Sequence, residues 1–371
     1  MINVFMVPTG GLRREGITTS LLEITKRIDK KAFSITIAAV HNNAADVIEE
    51  FRSYGCNVIK FPDRKNRKSF FKYCLAVRQE LNKGYDIIHV HGSSAIISIE
   101  LFIAKCCGVK VRIAHSRNTR CDNTIIDILL RPFLYKTYTY ALACGTEAGE
   151  WLFPNREFEI IHNGKDLRKF CFSSKMREKL RNELNLKGKV VYGHVGNINV
   201  QKNHTFLIDV FSVIKQNQDN AILYLMGDGA LMNEIRAKVH SLGLDNDVVF
   251  TGRVNDVHQR LMAMDVMIFP SLFEGLPNVV LEWQAEGLPC LIADTITKEC
   301  ALTDIVHFMS LNDSLYKWSN MAISLSNSSV NREIVSQNAI ISLTNEGYEI
   351  NECSHKLEDL YFRLMRAETE A

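Results

Sequence analysis

No apolar run in these 371 residues approaches the roughly 18 that a bilayer crossing requires, so no membrane span is expected. No secretory leader is expected either. Met1-Ile-Asn-Val-Phe-Met-Val7 has no basic segment ahead of it and runs straight into Pro8-Thr-Gly-Gly11, which reads as a first buried strand. There is no CxxC pair among the ten cysteines, which lie mostly inside apolar strands or helices. The reading is reduced, buried thiols in a cytoplasmic protein. Internal repeats and low-complexity segments are absent. A large net charge is missing as well, the formal value being +2, and no nucleic-acid partner is expected. The sign is unevenly placed, however. Residues 1–170 hold 26 Lys and Arg against 17 Asp and Glu, a balance of +9, and the rest hold 18 against 25, a balance of −7. A basic half suits an anionic surface or substrate.

What is present is an ordinary globular composition, 46% hydrophobic and 23% charged, with length for about two domains. Strand-like runs at Asn3–Val7, Ser34–Val40, Asn57–Phe61, Asp86–His91, Val111–His115 and Tyr138–Cys144 alternate with helical patterns such as Gly16–Ile28 and Ser94–Cys107. The pattern repeats with strands at Lys189–Val195, Ala221–Met226, Val248–Thr251, Val266–Pro270 and Pro289–Ala293, and helices at His204–Gln216, Leu231–Ser241 and Asn278–Glu286. Such alternation predicts two doubly wound, Rossmann-like α/β domains facing a cleft. The boundary is expected near Asn163–Phe170, which divides the chain into 1–165 and 166–345, with a final helix in 346–371.

The most informative segment is Ser271-Leu-Phe-Glu-Gly-Leu-Pro-Asn-Val-Val-Leu-Glu282. Glu274 lies on the loop after an apolar strand, and Glu282 lies about one turn into the following helix. Between them Gly275, Leu276 and Asn278 bring backbone N–H groups to a helix start near Pro277, where anions bind. The amides suit a diphosphate and the acids suit hydroxyls. This segment resembles the Glu–seven residues–Glu signature of retaining glycosyltransferases of family 4, and the likeness covers nearly the whole chain, with the flavour of bacterial capsular and exopolysaccharide enzymes.

The resemblance implies a GT-B fold whose C-terminal helix crosses back onto the N-terminal domain. It implies a nucleotide-sugar donor with uracil as its base, held mainly by the second domain, and no metal. Glu282 would hold the ribose, Glu274 the donor sugar, and Lys202 with the amides of Gly275 and Leu276 the departing diphosphate. Lys202 closes Gly193-His-Val-Gly-Asn-Ile-Asn-Val-Gln-Lys202, where the family has Gly-Arg-x-x-x-x-Lys. Asn197 stands at the Arg position and offers only a neutral hydrogen bond, about half as strong as a charged one. Backbone groups near Arg253 and Val254 would bracket the base. In Pro8-Thr-Gly-Gly-Leu-Arg-Arg-Glu-Gly16, the glycines Gly10, Gly11 and Gly16 inherit a place beside the diphosphate and acceptor; a plain strand–helix turn has the same composition. His91, in Asp86-Ile-Ile-His-Val-His91, resembles the family histidine near the reacting carbon. His89 and His91 share a face, but no third metal ligand follows at a supporting distance. His115 and Arg117 are weaker candidates for an acceptor phosphate, and a solvated loop explains them as well. Gly227 and Gly229 read equally as donor loop or structural turn. Asp245-Asn-Asp247 is an Asp-x-Asp, but its place between helix and strand reads as turn chemistry.

Arg64, Lys65, Arg67, Lys68 and Lys72 alternate with Phe70, Phe71 and Tyr73. A basic aromatic stretch of this kind docks on anionic lipid, and a loop leading into a core-facing helix has the same composition. Ile125–Tyr135 is a second apolar stretch with both readings. The expected activity is sugar transfer to a hydroxyl of a glycan, lipid-diphosphate-linked, at the inner face of the cell membrane. Two alternatives remain: a UDP-sugar epimerase of the same fold, which needs no acceptor, and a non-catalytic nucleotide-sugar-binding protein, for which Asn197 is the argument.

Overall fold

The computed structural model describes every residue except Lys65, Asp122, Ser329 and Ala371, and only the backbone of Thr369 and Glu370. The chain separates into two compact units, Met1–Asp166 joined by Gly347–Ala371, and Leu167–Glu346.

The first unit is built on β1 (Ile2–Pro8), β2 (Phe33–Ala39), β3 (Asn57–Lys60), β4 (Ile87–Gly92), β5 (Val111–Ser116), β6 (Tyr140–Ala143) and β7 (Glu159–Ile160). They pair in parallel in the order β3-β2-β1-β4-β5-β6-β7. The second unit has β8 (Val190–Val195), β9 (Ala221–Met226), β10 (Val248–Gly252), β11 (Val266–Phe269), β12 (Cys290–Ala293) and β13 (Val306–Met309), ordered β10-β9-β8-β11-β12-β13. This sheet is parallel as well. Helices cover both faces of such sheets, so central strands are apolar throughout, as in the fully buried Ala221–Met226. Each sheet reverses its winding once, between β1 and β4 and between β8 and β11. Crevices at the carboxyl ends of strands flanking such reversals are where α/β folds bind ligands.

Three departures from expectation have local causes. The run Ser94–Cys107 breaks into a 3₁₀ turn, Ala95–Ile97, and a helix, Ser98–Cys106. Buried Asp127 accepts the Ala95 N–H at 2.6 Å and reshapes the entry. β13 was not anticipated, because it is half-buried and carries no continuous apolar run. The final helix is Ile350–Glu370, starting four residues late. Gly347, at φ +79°, stops the preceding helix, and Tyr348 then gives its carbonyl to the Lys165 N–H at 2.8 Å.

That last helix repeats apolar residues every three or four positions, so one stripe can be buried. Ile350, Leu357, Leu360 and Tyr361 enter the same core as Leu21, Ile24 and Phe33 of the first unit. The chain thus crosses back onto its N-terminal unit. The two crossings run side by side through the Lys165–Glu349 bridge. Gly164 is required there: a Cβ would lie 2.9 Å from the Ile350 Cα and 2.8 Å from the Cys353 Sγ. Among the described residues no helix is long and apolar enough to cross a membrane.

Candidate active site

In the second unit the loops after β8 and β11 are laced together. The Leu272 N–H donates to the Gln201 carbonyl at 2.8 Å, and Gln201 Nε2 donates to the Phe273 carbonyl at 2.9 Å. Asn199 Oδ1 accepts the Lys202 N–H at 3.0 Å. The result is an ion pair, Lys202 Nζ to Glu274 Oε1 at 2.7 Å, with side chains only 15% and 10% exposed. Lys202 Nζ also lies 4.5 Å from the centre of the Phe269 ring. Gly196 leaves room for the lysine stem: a Cβ there would sit 3.2 Å from its Cε. Beneath it, His194 donates from Nδ1 to the Ile268 carbonyl at 2.9 Å. Burial holds His194 and His204 neutral, His204 down to about 4. Sequence reasoning passed over Gln201 and His194, whose partners lie 72 and 74 positions away, and Asn199, which caps the nearby Lys202 N–H.

Just beyond Glu274, Gly275, Leu276 and Pro277 lead into the helix Asn278–Ala285, whose start is capped by no side chain. Its first amides remain donors for an anion. Glu282, half-buried, lies on the same helix, one turn after Asn278. Asn197 is half-buried in the β8 loop, which packs tightly against Gly227-Asp-Gly229. A Cβ on Gly229 would fall 2.2 Å from the Ile198 carbonyl oxygen, and one on Gly227 1.9 Å from that of Gly196. These glycines are therefore demanded by the approach of two loops. Arg253, exposed, and Val254, half-buried, follow β10 at the same edge of the sheet.

In the first unit the corresponding reversal places the end of β1 beside that of β4, with Pro8 opposite His91. A Cβ on Gly10 or Gly16 would meet open space, whereas one on Gly11 would strike the His41 carbonyl oxygen at 2.2 Å. Gly11 is thus fixed by packing, and the space beside Gly10 and Gly16 is free for other atoms. The helix Gly16–Arg27 begins without a side-chain cap or a first-turn acid.

His89, His91 and His115 form a buried cluster, with His91 opposite His115 in the β4–β5 register. The third histidine absent from the local spacing therefore arrives from the neighbouring strand. Among the described residues this is the one His, Cys, Asp and Glu group compact enough to hold a metal ion, its ligand atoms lying within 4.8 Å of one another. Four of its six ring nitrogens are already engaged, His91 Nε2 and His115 Nε2 being the two without a hydrogen-bond partner. His89 bonds Tyr361 Oη at 2.7 Å and His115 Nδ1 at 2.9 Å, and Arg117 lies 3.0 Å from His91 Nδ1. A guanidinium thus occupies the place of a cation. Burial, with Arg117 alongside, holds all three imidazoles well below the usual histidine range.

His115 and Arg117, expected to contact an acceptor phosphate, are buried at 1% and 7% exposure, as His91 is at 1%. One expectation is corrected here. Arg64, read as a membrane-facing cation, is 15% exposed. It pairs with fully buried Glu100 at 2.9 Å and donates to the Thr9 carbonyl at 2.7 Å, because a buried carboxylate requires a cation. Arg67, Lys68 and Lys72 are exposed, and Lys65 lies outside the described residues. Asp245 and Asp247 pair with His240 and Lys215, as turn and helix-end groups do.

Two units of this winding, with a cation–carboxylate pair at the second reversal, define the GT-B fold. The solved structure of HepE from Anabaena in complex with UDP-glucose superposes with a TM-score of 0.80, at 17% identity, over 98% of this chain and 100% of that one. Residues 189–307 match the family model described as glycosyl transferases group 1. EpsF of Bacillus subtilis (strain 168) is 30% identical over 323 residues, 83% of this chain and 84% of that protein. An Escherichia coli UDP-Gal:α-D-GlcNAc-diphosphoundecaprenol α-1,3-galactosyltransferase is 26% identical over 81% of this chain and 80% of its own length. The chain belongs to the group 1 glycosyltransferases and is a glycosyltransferase.

Proposed function

We propose that the chain transfers a hexose, with retention of configuration, from a UDP-linked donor to a hydroxyl of a glycan carried on a lipid diphosphate, as a step in capsular or exopolysaccharide synthesis. The observation that carries this reading is the Lys202–Glu274 pair at the β8/β11 reversal. Lys202 and the amides of Gly275 and Leu276 neutralise the diphosphate as the bond from the sugar C1 to the phosphate oxygen breaks. Preorganised donors of this kind are often the largest catalytic contribution. Glu274 orients the sugar hydroxyls and Glu282 the ribose, while Pro277 and Asn278 shape the loop. Arg253 and Val254 flank the uracil, and Asn197 adds a neutral donor. The acceptor oxygen bonds C1 on the face the phosphate leaves, and its proton passes to the leaving phosphate oxygen. Gly10 and Gly16 give the first unit's loop its open backbone, Gly11 packs that loop against His41, and His91 contacts the transferred sugar.

The lipid-linked acceptor is supported by the diphosphoundecaprenol-linked substrate of the E. coli relative. Docking of the first unit on an anionic membrane is supported by its surface. The exposed Phe71, Leu75, Phe102, Ile125, Ile128 and Leu129 accompany the exposed cations Arg67, Lys68 and Lys72.

The test is turnover of UDP-, GDP- and ADP-sugars, with thermal shift to read binding. K202A is expected to lower kcat by about 10²–10³-fold, the usual loss when one preorganised donor is removed. Glu274→Ala is expected to abolish transfer while UDP still raises the melting temperature. Full turnover by Glu274→Ala, or product formed from UDP-sugar without any acceptor, would refute this reading.

A further inference from the structure

His91 sits at the end of β4 with its imidazole 1% exposed. Its Nδ1 is approached by two nitrogens of one guanidinium, Arg117 Nε at 3.2 Å and Nη2 at 3.0 Å. Arg117 is held in turn. Its backbone N–H donates to the Gly92 carbonyl at 3.0 Å, and Nη1 donates to Asn163 Oδ1 at 2.5 Å. The same oxygen accepts Ser20 Oγ at 3.1 Å. A guanidinium has donors and no acceptor. Burial lowers Arg117 only to about 10, so it stays charged at neutral pH. The Nδ1 lone pair must therefore receive both N–H groups, and the ring proton must be on Nε2. A second proton is opposed by burial and by that guanidinium at 3.0 Å. His91 Nε2 is buried and meets no hydrogen-bond partner within the protein. With His115 Nε2 it is one of two unpaired ring nitrogens in the cluster, and an N–H donor left open in this way calls for an acceptor.

We propose that Arg117 is a positioning residue that fixes His91 as the neutral Nε2–H tautomer, making His91 a hydrogen-bond donor to an oxygen of the donor's sugar. This rests on the reading of His91 as a sugar contact. It also assigns the chemistry: with Nε2 protonated and Nδ1 occupied, His91 takes no proton from the acceptor hydroxyl, and that proton leaves with the phosphate. Sequence alone read Arg117 as a loop cation, because its partner lies 26 residues back on the adjacent strand.

The experiment is ¹⁵N spectroscopy of the full chain labelled at histidine, with H91Q assigning the resonance, beside steady-state kinetics of Arg117→Met and Arg117→Lys. In the parent, His91 Nδ1 is expected to give an unprotonated signal and Nε2 a protonated one. Arg117→Met is expected to show mixed tautomers and roughly ten-fold lower kcat/KM, the effect of one misdirected hydrogen bond, with UDP affinity unchanged. Arg117→Lys, which still donates to Nδ1, is expected to restore the single tautomer and most of the rate. A protonated Nδ1 in the parent protein overturns the lock, and that measurement stands even if Arg117→Met fails to fold. If the lock is seen and H91Q weakens UDP and UDP-sugar binding equally, the acceptor oxygen is not on the sugar and that half of the proposal falls.

Discussion

Glu286, at the end of the helix Asn278–Ala285, shows how burial sets a single residue's charge. It is fully buried, and neither carboxylate oxygen has a hydrogen-bond partner. Arg332 lies 3.6 Å away, but its N–H groups are spent on the carbonyls of Leu261, Met264 and Glu286 itself. Desolvation therefore dominates and pushes the Glu286 carboxyl up to about 8. An unfolded glutamate titrates near 4.3. Between these values the folded state keeps a proton that the unfolded chain releases, so this contribution to stability is complete at low pH and is lost as pH rises through about 8. Glu286→Gln keeps the neutral shape. It is expected to match the parent near pH 5 and to melt roughly 2–4 °C higher above pH 8, the shift that one kcal/mol makes in a unit of this size. Parallel melting curves across that range would show that the carboxylate is ionised and paired. Residues of this kind are illegible in the sequence. Glu286 reads as a helix-end acid, and Arg64 read as a surface cation although Glu100, 36 positions away, claims it.

At the scale of elements, the helix Thr124–Leu134 is the instructive case. Its apolar run reads equally as core or as contact surface, because hydrophobicity says nothing of what lies opposite. The structure buries only Asp127 and Leu134 and leaves Ile125, Ile128 and Leu129 64–71% exposed. Ser94–Cys107, by contrast, read as one helix and is two pieces, since the capture of Ala95 by Asp127 is non-local. If the exposed face docks on lipid, Ile125, Ile128 and Leu129 changed together to Asn should abolish sedimentation with vesicles containing phosphatidylglycerol. The melting temperature should hold or rise, because no packing is removed. Retained sedimentation would sink the docking proposal, as would equal binding to neutral vesicles. The strand-and-loop elements of the donor site were far more legible. Glu274, Glu282 and Lys202 stand in short segments whose spacing carries the signal, whereas the Lys202–Glu274 contact spans 72 positions and comes from the β8–β11 pairing.

At the scale of the whole molecule, alternation of strands and helices gave away two doubly wound sheets, because each parallel strand demands a covering helix before the next. Half-buried β13 escaped this logic. The first unit is discontinuous in sequence: its core takes Ile350, Leu357, Leu360 and Tyr361 from the far end of the chain. A chain stopped after Glu346 is expected to lose protease resistance in its first 166 residues, while amide exchange in β8, β9 and β11 stays slow. Equal protection of both segments would mean that the last helix is dispensable.

The same discontinuity bears on synthesis. When the ribosome has delivered residue 166, the first sheet still lacks Tyr361, the partner of His89 Nδ1, which lies 195 positions further on. The nascent N-terminal segment therefore waits with an uncovered groove while the second unit folds. The histidine cluster cannot close until Tyr361 has been made, so a product truncated before it carries an unfinished cluster into the cell's quality control.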